Sequence, residues 1–369
     1  MSALDKLKNT VPENIKSILI IGSIGIGNLL LFSGTLRRMR SHFSNARISI
    51  IVLKSGFRDI YENDPSVDEV IVLDINKIKT IKQKTGFILS LRKNKYDICV
   101  TTFPANRIEY NILARLSGAR FRITHGYDTK ALKTLSFLQN IRIPVDKGMH
   151  DLEQNLNLLT AFGISPAEED RTVTLPLIDE KTENAKRYLI DNDLSDKLLI
   201  GMHAGSSSER GMHLKRWQPE RFAELADWIK SEYNAVVMLF GGPEELELRE
   251  KIRDIAQVDP HIVKGADLLT TAALISRCRL FITNDSGLMH VSVAAGVQTV
   301  ALFGPSDPGR TAPYGDKHKV IRLGMDCSPC WSIKNLGVGW VNCIHPENYC
   351  MLNIEMDTVA KIVSECMKS

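Results

Sequence analysis

The stretch at residues 283–315 carries the residue types and spacing with the clearest chemical potential, because a short apolar strand runs straight into a helix there. Asp285, Ser286 and Gly287 fit the strand end, the helix cap and the first helical turn. Backbone N–H groups and the helix dipole point out of such a turn, which suits a phosphate or diphosphate. His290 falls on the same helical face as Gly287 and could reach the same anion. An ordinary βαβ unit with a buried core histidine is the alternative.

Two further loops follow apolar strands in the same half of the chain. The first, at residues 202–222, combines small polar side chains with cations, which suits a phosphate, although a polar surface loop is the alternative. Its candidate residues are His203, Ser206, Ser207 and Lys215. The second, GGPEE, places Glu245 where a ribose or base could be contacted. A plain turn with an acidic residue in the first helical turn explains this motif equally well.

Four cysteines near the end of the chain have the number and approximate spacing of metal ligands. They are Cys327, Cys330, Cys343 and Cys350. The CxxC pair fits a structural zinc, but the second pair lacks the tight spacing of a good site. The alternatives are thiols in the reduced state that pack inside the protein, or thiols that lie at the acceptor site. No secretory signal is evident, so structural disulfides are disfavoured.

A glycine-rich loop, GSIGIGN, follows the first predicted strand and contains Gly25, Gly27 and Asn28. Its glycines permit close backbone approach, and the helix after it offers another terminus suited to an anion. A dinucleotide site would predict an acidic residue at the end of the second strand. Lys54 stands there instead, which argues against a nicotinamide-dependent oxidoreductase.

Composition and charge indicate a globular protein with an anionic partner. The 369 residues, 44% hydrophobic and 24% charged, suit two domains of ordinary size. Residues 1–150 hold 24 Lys and Arg against 12 Asp and Glu, a net of +12, whereas the remainder holds 23 against 31, a net of −8. An anionic membrane surface or an acidic acceptor fits this surplus, while no nucleic-acid reader motif accompanies it. Glycines divide the uncharged residues 17–34, so we interpret them as buried in a cytoplasmic protein rather than as a membrane span.

The positioning elements alternate between strands and helices, which predicts two doubly wound α/β domains. In the first half, strands are predicted at 18–21, 48–53, 70–73 and 98–101, and helices at 29–42, 107–116 and 151–162. In the second half, strands are predicted at 198–202, 235–240, 261–263, 280–283 and 299–303. Residues 164–179 are the predicted linker. Ligands of such sheets bind at the carboxyl ends of the strands, here expected in a cleft between the domains.

With these motifs the chain resembles the family 9 glycosyltransferases, the ADP-heptose:lipopolysaccharide heptosyltransferase group, over nearly its whole length. The resemblance rests on GSIGIGNLLLFSG, HAGSS, GGPEE and above all NDSGLMHVSVAAGVQTVALFGPSDPGRTAPYG. It implies a GT-B fold, with two Rossmann-like doubly wound domains facing each other across a cleft. Residues 1–170 would bind the acceptor, residues 171–350 would bind the nucleotide sugar, and residues 351–369 would form a helix that packs back on the first domain.

The resemblance also implies a function. It predicts an inverting, metal-independent transfer of a heptose or related sugar from ADP-heptose, or another nucleotide sugar, onto a lipopolysaccharide core or related glycan. No cofactor would be required, and a structural zinc at the four cysteines stays possible. The enzyme would be cytoplasmic, with peripheral contact at the inner face of the inner membrane, and would not bind nucleic acid.

Residue roles follow from the resemblance motif by motif, with Lys215 and Asp285 expected to take part in catalysis. The donor site would comprise Ser206, Ser207 and Lys215 at the phosphates, Glu245 at the nucleoside, Asp285 at the sugar hydroxyls, and Ser286, Gly287 and His290 at the diphosphate, with His203 beside them.

One position departs from the family pattern. In the loop that contains Gly25, Gly27 and Asn28, the family typically has an aspartate that acts as the general base. This chain has Asn28 at that position, and an amide cannot take up a proton at useful pH. Another group could serve as base, with three candidates by polarity: His125, Asp97 and Glu109. Alternatively the acceptor differs, or the protein is a non-catalytic or weakly active glycolipid-binding relative.

Overall fold

The computed structural model describes residues 2–23, 25–74, 77–105, 107–127, 131–207, 209–331 and 343–368. The chain divides into two compact units, Met1–Pro176 and Leu177–Ser369. The division falls inside the predicted linker, residues 164–179. Each unit is built on one parallel β-sheet, so the predicted α/β class with two doubly wound units is confirmed.

The sheet of the first unit comprises, in the described residues, six strands in the order β3-β2-β1-β4-β5-β6. They are β1 Ser17–Ile21, β2 Arg47–Val52, β3 Glu69–Val72, β4 Ile98–Thr101, β5 Phe121–Gly126 and β6 Ile141–Pro144. The register pairs Ile18 with both Ile48 and Ile98, so β1 lies at the centre and is fully buried. The first four strands were predicted to within a residue, because their continuous apolar runs are typical of a sheet covered on both faces.

Helices flank this sheet in the usual crossover positions. The α-helices are α1 Ala3–Lys8, α2 Ile26–Leu30, α3 Ser33–His42, α4 Asp59–Glu62, α5 Ile81–Lys93, α6 Ile108–Leu116, α7 Ala131–Thr134 and α8 Asp151–Asn157. Short 3₁₀ segments cover Pro12–Asn14, Ser55–Phe57, Ser136–Leu138, Leu158–Phe162 and Glu168–Asp170. The predicted helix 151–162 is therefore an α-helix that tightens into a 3₁₀ turn before Gly163, whose φ of 75° ends it.

The predicted linker is held against the first unit along most of its length. Ser33 Oγ accepts a hydrogen bond from Thr174 N at 3.0 Å, and Arg37 Nη2 donates to the Thr172 carbonyl at 3.3 Å. Asp170 is buried. These contacts to α3 explain why the unit boundary comes only after Pro176.

The sheet of the second unit likewise has six strands within the described residues, in the order β12-β11-β10-β7-β8-β9. They are β7 Leu199–His203, β8 Val236–Leu239, β9 His261–Ile262, β10 Leu280–Asn284, β11 Thr299–Leu302 and β12 Lys319–Ile321. The α-helices are α9 Asp179–Asp191, α10 Pro219–Tyr233, α11 Leu246–Ile255, α12 Leu268–Ile275, α13 Gly287–Ala294, α14 Pro308–Thr311, α15 Tyr349–Leu352 and α16 Met356–Lys368. Two 3₁₀ segments cover Glu209–Lys215 and Pro243–Glu245.

The final helix, α16, packs on the core of the second unit. Val359, Val363 and Cys366 are buried in the same apolar cluster as β7 and β10. Tyr233 of α10 donates a hydrogen bond to Ser364 Oγ at 3.1 Å. This apolar stripe explains why α16 belongs to the second unit, and the expected packing on the first domain stays a prediction.

In the described part of the chain, each helix is too short or too polar to cross a bilayer.

Candidate functional site

Three neighbouring strands of the second unit end at one edge of the sheet with the predicted donor-site residues. β7 lies between β8 and β10, and the three are parallel, so their carboxyl ends meet. His203 closes β7, Asp285 and Ser286 follow β10, and Glu245 follows β8. The topology thus gathers side chains from three separate motifs, as expected for a ligand edge of an α/β sheet.

Lys215 and Asp285 form an ion pair at this edge. Lys215 Nζ lies 2.6 Å from Asp285 Oδ2, and the two side chains are only 12% and 7% exposed. Burial would raise the pKa of Asp285, but the Lys215 ammonium, with smaller effects of the neighbouring Ser306 hydroxyl and His290, outweighs it, and the pKa lies below its usual value. Asp285 is therefore an ionised carboxylate at neutral pH.

His203 links Glu245 to Ser286. His203 Nε2 lies 2.9 Å from Glu245 Oε2, and Nδ1 lies 2.9 Å from Ser286 Oγ. Burial would raise the pKa of Glu245, but the hydrogen bond and charge of His203 and the N–H of Gly242 outweigh it, so the pKa is lowered. The ionised carboxylate lies at hydrogen-bond distance from Nε2 of His203, and Nδ1 of the same ring meets the Ser286 hydroxyl. Glu245 thereby fixes the imidazole and, through it, the helix cap.

The start of α13 presents the predicted anion-binding turn. Ser286 Oγ accepts a hydrogen bond from Met289 N at 3.4 Å and caps the helix. The backbone N–H groups beginning at Gly287 are the donors suited to an anion at this turn. His290 is buried in the second turn, close enough to help lower the pKa of Asp285. The structure thus brings Gly287 and His290 to the same edge as Lys215.

The loop after β7 is held by groups that the sequence did not single out as structural. Ser206 is buried, donates to the Met212 carbonyl at 2.9 Å and accepts from Arg216 Nε at 3.2 Å. Asn284 Nδ2 donates to the Ala204 carbonyl at 2.7 Å, and Asn284 Oδ1 accepts from Trp217 N at 3.1 Å. These bonds fasten the loop to the end of β10. The one sequence feature that could have indicated this role was the position of Asn284 at the start of the NDSG motif.

The other two serines of the loop differ from Ser206. Ser207 is exposed, whereas Ser206 is buried. Ser208 lies outside the described residues. The phosphate-contact roles of Ser206 and Ser207 stay predictions.

Gly205 makes room for the Glu245 carboxylate. A Cβ at position 205 would lie 1.9 Å from Glu245 Oε1 and 2.2 Å from its carboxyl carbon. A side chain at this position would therefore displace the carboxylate from His203. The HAGSS motif therefore needs a glycine at position 205, because the Glu245 carboxylate of the GGPEE motif occupies the space of a side chain there.

In the first unit, the glycine-rich loop projects from the carboxyl end of β1. Gly25 has a φ of 109° and precedes α2, which contains Gly27 and the half-buried Asn28. That backbone conformation favours glycine. Ile24 of this loop lies outside the described residues. Thr102, following β4, accepts a hydrogen bond from Ser23 N at 2.8 Å.

Comparison with known proteins decides the family. The model of glycosyltransferase family 9 (heptosyltransferase) matches residues 85–340. Lipooligosaccharide heptosyltransferase 2 of Campylobacter jejuni serotype O:6 is 34% identical over 315 residues, which cover 83% of this chain and 87% of that protein.

The chain belongs to glycosyltransferase family 9.

Solved structures show the same fold. The family 9 glycosyl transferase of Veillonella parvula superposes with a TM-score of 0.78 at 24% identity and covers 96% of this chain and 98% of its own. The E. coli ADP-heptose lipopolysaccharide heptosyltransferase II superposes with a TM-score of 0.73 at 23% identity and covers 95% and 98%. The predicted GT-B class and the prediction of a glycosyltransferase are confirmed.

Of the three candidate bases of this family 9 enzyme, one lies at the wrong edge of the sheet. Asp97 precedes β4, and its carboxylate accepts hydrogen bonds from the backbone N–H groups of Lys16 and Ser17. It therefore lies at the amino edge, opposite the loop that carries Asn28. The position of Asp97 follows from the pairing of Ile18 with Ile98, and the hypothesis that Asp97 is the base is wrong.

The other two candidates lie on the carboxyl side of the sheet. His125 is the second-last residue of β5 and is buried, with Nε2 2.9 Å from the Gln154 carbonyl. Burial lowers its pKa to about 4. Glu109 is exposed in the first turn of α6 and is 2.9 Å from Arg107 Nη2. Both remain candidates.

The four cysteines surround one small cavity of about 40 Å³, together with His345. Cys327 Sγ lies 3.6 Å from His345 Nε2. Burial, with a smaller effect of the neighbouring cysteines, raises the pKa of Cys350 to about 11. Within the described residues, no three His, Cys, Asp or Glu side chains are arranged to hold a metal ion. The zinc site stays a prediction, which elemental analysis of reduced, untagged protein would test.

Proposed function

We propose that this family 9 glycosyltransferase moves a heptose from ADP-heptose onto a lipopolysaccharide core or a related anionic glycolipid, with inversion and without a metal ion. The observation that carries the proposal is the Lys215–Asp285 pair at the start of α13. The names of the relatives support the choice of donor and acceptor, since they are heptosyltransferases of lipooligosaccharide or lipopolysaccharide and one is called an ADP-heptose enzyme.

The donor diphosphate would lie against the first turn of α13. The helix dipole and the N–H groups from Gly287 onward favour an anion there. The Lys215 ammonium, already positioned by Asp285 at 2.6 Å, would be shared with the phosphate oxygens. His290 is the further nitrogen group near this turn.

Asp285 would accept hydrogen bonds from the hydroxyls of the sugar. Its lowered pKa supports this role, because an ionised carboxylate is an acceptor only. The same pairing keeps its charge from repelling the diphosphate, since Lys215 neutralises it. Glu245 would support the site through His203, and a direct contact with the nucleoside stays a prediction.

In the transfer, the acceptor oxygen would form a bond to the anomeric carbon while the bond to the diphosphate oxygen breaks. Attack from the face opposite the leaving group inverts the configuration. The negative charge that develops on the diphosphate would be stabilised by α13 and Lys215, which act in place of a metal ion. The proton of the acceptor hydroxyl must leave to a base, and Glu109 or His125 would accept it, because the amide of Asn28 cannot.

A second candidate function is a weakly active or non-catalytic relative that binds a glycolipid. Asn28 is the observation that favours it. We expect the catalytic function because the Lys215–Asp285 pair and the Glu245–His203–Ser286 contacts lie at one edge of the sheet, an arrangement that a pure glycolipid-binding protein would not need. We also propose a cytoplasmic location at the inner face of the inner membrane, where a nucleotide sugar would meet a lipid-linked acceptor.

Incubating the full-length protein with ADP-heptose and a heptose-deficient core glycan tests the proposal. Mass spectrometry should detect addition of one heptose in the presence of EDTA, and NMR should show an inverted anomeric centre. Binding of ADP-heptose without any transfer, to several core acceptors, would favour the glycolipid-binding alternative. Transfer that stops in EDTA and returns with a divalent ion would contradict metal independence.

A further inference from the structure

An apolar stripe runs along the outer side of α6 in the first unit. Ile108, Ile112 and Leu116 recur every fourth residue and are exposed. Tyr110 and Leu113 of the same helix are buried in the core beneath it. A helix on the surface of a globular protein usually has one apolar side, which faces the core. α6 has a second one that faces outward.

Neighbouring elements extend this stripe into a surface. On α5, Ile81 is 83% exposed and Leu89 is also exposed, while after α6 Leu132 is 82% exposed. α5 and α6 cover the same side of the sheet, because their inward residues belong to one core cluster. Asn111 of α6 donates a hydrogen bond to the Thr134 carbonyl of α7 at 3.0 Å. We call this surface the α5–α7 face; its exposed apolar residues are Ile81, Leu89, Ile108, Ile112, Leu116, Leu132 and Phe137.

The positive charge of the first half is concentrated in the segment that carries this face. Residues 77–140 hold 13 Lys and Arg against 3 Asp and Glu, a net of +10, out of the +12 of residues 1–150. The stretch 77–95 holds seven Lys and Arg and no acidic residue. Lys82 and Lys84 are exposed in the first turn of α5, which begins with Ile81. The acidic residue of α6, Glu109, is paired with Arg107.

We propose that the α5–α7 face docks on an anionic lipid bilayer. Apolar side chains that enter the interface and lysines that meet anionic headgroups are the two contributions that hold a peripheral protein on such a surface. Nucleic acid is bound chiefly through cations at its phosphates, and the exposed isoleucines and leucines have no role there. The combination therefore favours a bilayer.

The topology places this face beside the acceptor loop of the same unit. α5 and α6 follow β3 and β4 and therefore begin at the carboxyl edge of the sheet. The loop with Asn28 follows β1 at that same edge. A bilayer on the α5–α7 face would hold a membrane-anchored acceptor near this edge. This consequence rests on the proposed function, whereas the docking itself does not.

Vesicle sedimentation of the full-length protein tests the docking. The protein should bind vesicles of phosphatidylcholine with about 30% phosphatidylglycerol more tightly than pure phosphatidylcholine vesicles, and less tightly as salt rises. Lys82→Glu with Lys84→Glu should weaken binding about tenfold or more, and Ile81→Ser with Leu89→Ser should weaken it at every salt concentration.

Matched variants of the second unit serve as controls. Lys197→Glu with Lys361→Glu changes two exposed lysines, and Ile190→Ser changes an isoleucine that is 65% exposed on α9. These should leave vesicle binding unchanged. All variants should keep the melting temperature and the ADP affinity of the wild type, since the positions are on the surface.

Equal binding to neutral and anionic vesicles would overturn the proposal, as would equal losses in the α5 and control variants. Tighter binding to duplex DNA than to the anionic vesicles would also overturn it and identify a nucleic-acid surface. Transfer to a soluble, deacylated acceptor without vesicles separates the two proposals. If the wild type transfers no sugar to this soluble acceptor, the result would count against the proposed function and leave the docking proposal unaffected.

Discussion

Lys215 Nζ lies 2.6 Å from Oδ2 of Asp285, although the two residues are 70 positions apart in the chain. The pair joins the loop after β7 to the turn that starts α13. It keeps a buried carboxylate ionised at the point where the diphosphate is proposed to bind. The proposed transfer without a metal ion would need such fixed cations, because the departing diphosphate would gain negative charge.

Lys215→Met should destabilise the protein strongly. It leaves the Asp285 carboxylate buried without its partner, and breaking a buried pair in this way costs about 3–5 kcal/mol. The control is Lys181→Met, which breaks the more exposed pair with Asp267 at 2.7 Å and should cost about 1 kcal/mol or less. Urea unfolding of both variants measures the difference.

The double variant Lys215→Met with Asp285→Asn separates stability from function. Removing both charges should restore most of the lost free energy of unfolding, but ADP affinity should stay low. Equal destabilisation by Lys215→Met and Lys181→Met would mean that the buried pair is not formed in solution.

Glu245→Gln should lower stability at neutral pH by about 1–3 kcal/mol, because His203 Nε2 loses a charged acceptor. The pKa of Glu245 is lowered in the folded state, so its stabilising effect is fully present above the ordinary glutamate value. The effect disappears as the pH falls through the lowered value. Melting temperatures of wild type and variant should therefore differ at pH 7 and converge in acid.

Two neighbouring variants check this assignment to the His203–Glu245 bond. Glu244→Gln changes the adjacent exposed carboxylate and should have little effect. Gly205→Ala brings a Cβ within 1.9 Å of Glu245 Oε1 and should reproduce the loss. If Glu244→Gln and Glu245→Gln behave alike, the carboxylate is not engaged with His203.

Asn28→Asp should preserve the fold, because the two side chains are nearly the same size. On an acceptor of the family type, turnover should stay unchanged or rise, since general base catalysis is worth about 10²–10⁴-fold. Steady-state kinetics with saturating ADP-heptose is the measurement. A clear fall in turnover, with donor affinity and melting temperature intact, would show that the amide itself is required.

The strands could be predicted where apolar residues follow one another without an interrupting charge. β1 and β2 are continuous apolar runs and were predicted to within a residue. β5 and β6 were not predicted, because Arg122 and Arg142 interrupt them; β6 lies at the edge of the sheet, where every second residue is exposed. The short edge strand β12 was missed for the same reason, since Lys319 and Val320 are exposed.

The sequence could predict that the candidate residues lie at the ends of neighbouring strands, but not which hydrogen bonds join them. Motif position indicated that His203, Glu245 and Ser286 share one edge. The sequence could not show that His203 bonds to both of the others, because that depends on tertiary packing across three strands. It also could not show that the Ser206 hydroxyl is directed to the Met212 carbonyl. The sequence also could not show the register of β1 against β4, which places Asp97 at the amino edge of the sheet, opposite the loop with Asn28.

Calorimetric titration of ADP into the wild type, His290→Ala and His261→Ala tests the central claim most directly. We predict that the wild type binds one ADP and that His290→Ala weakens binding about tenfold to a hundredfold, the loss of one charge-assisted contact. His261, half-buried at the start of β9 and 2.9 Å from Tyr188, is the matched control and should leave the affinity unchanged. Failure of the wild type to bind ADP would contradict a diphosphate site at the start of α13, and equal affinities for all three proteins, at unchanged melting temperature, would remove His290 from that site.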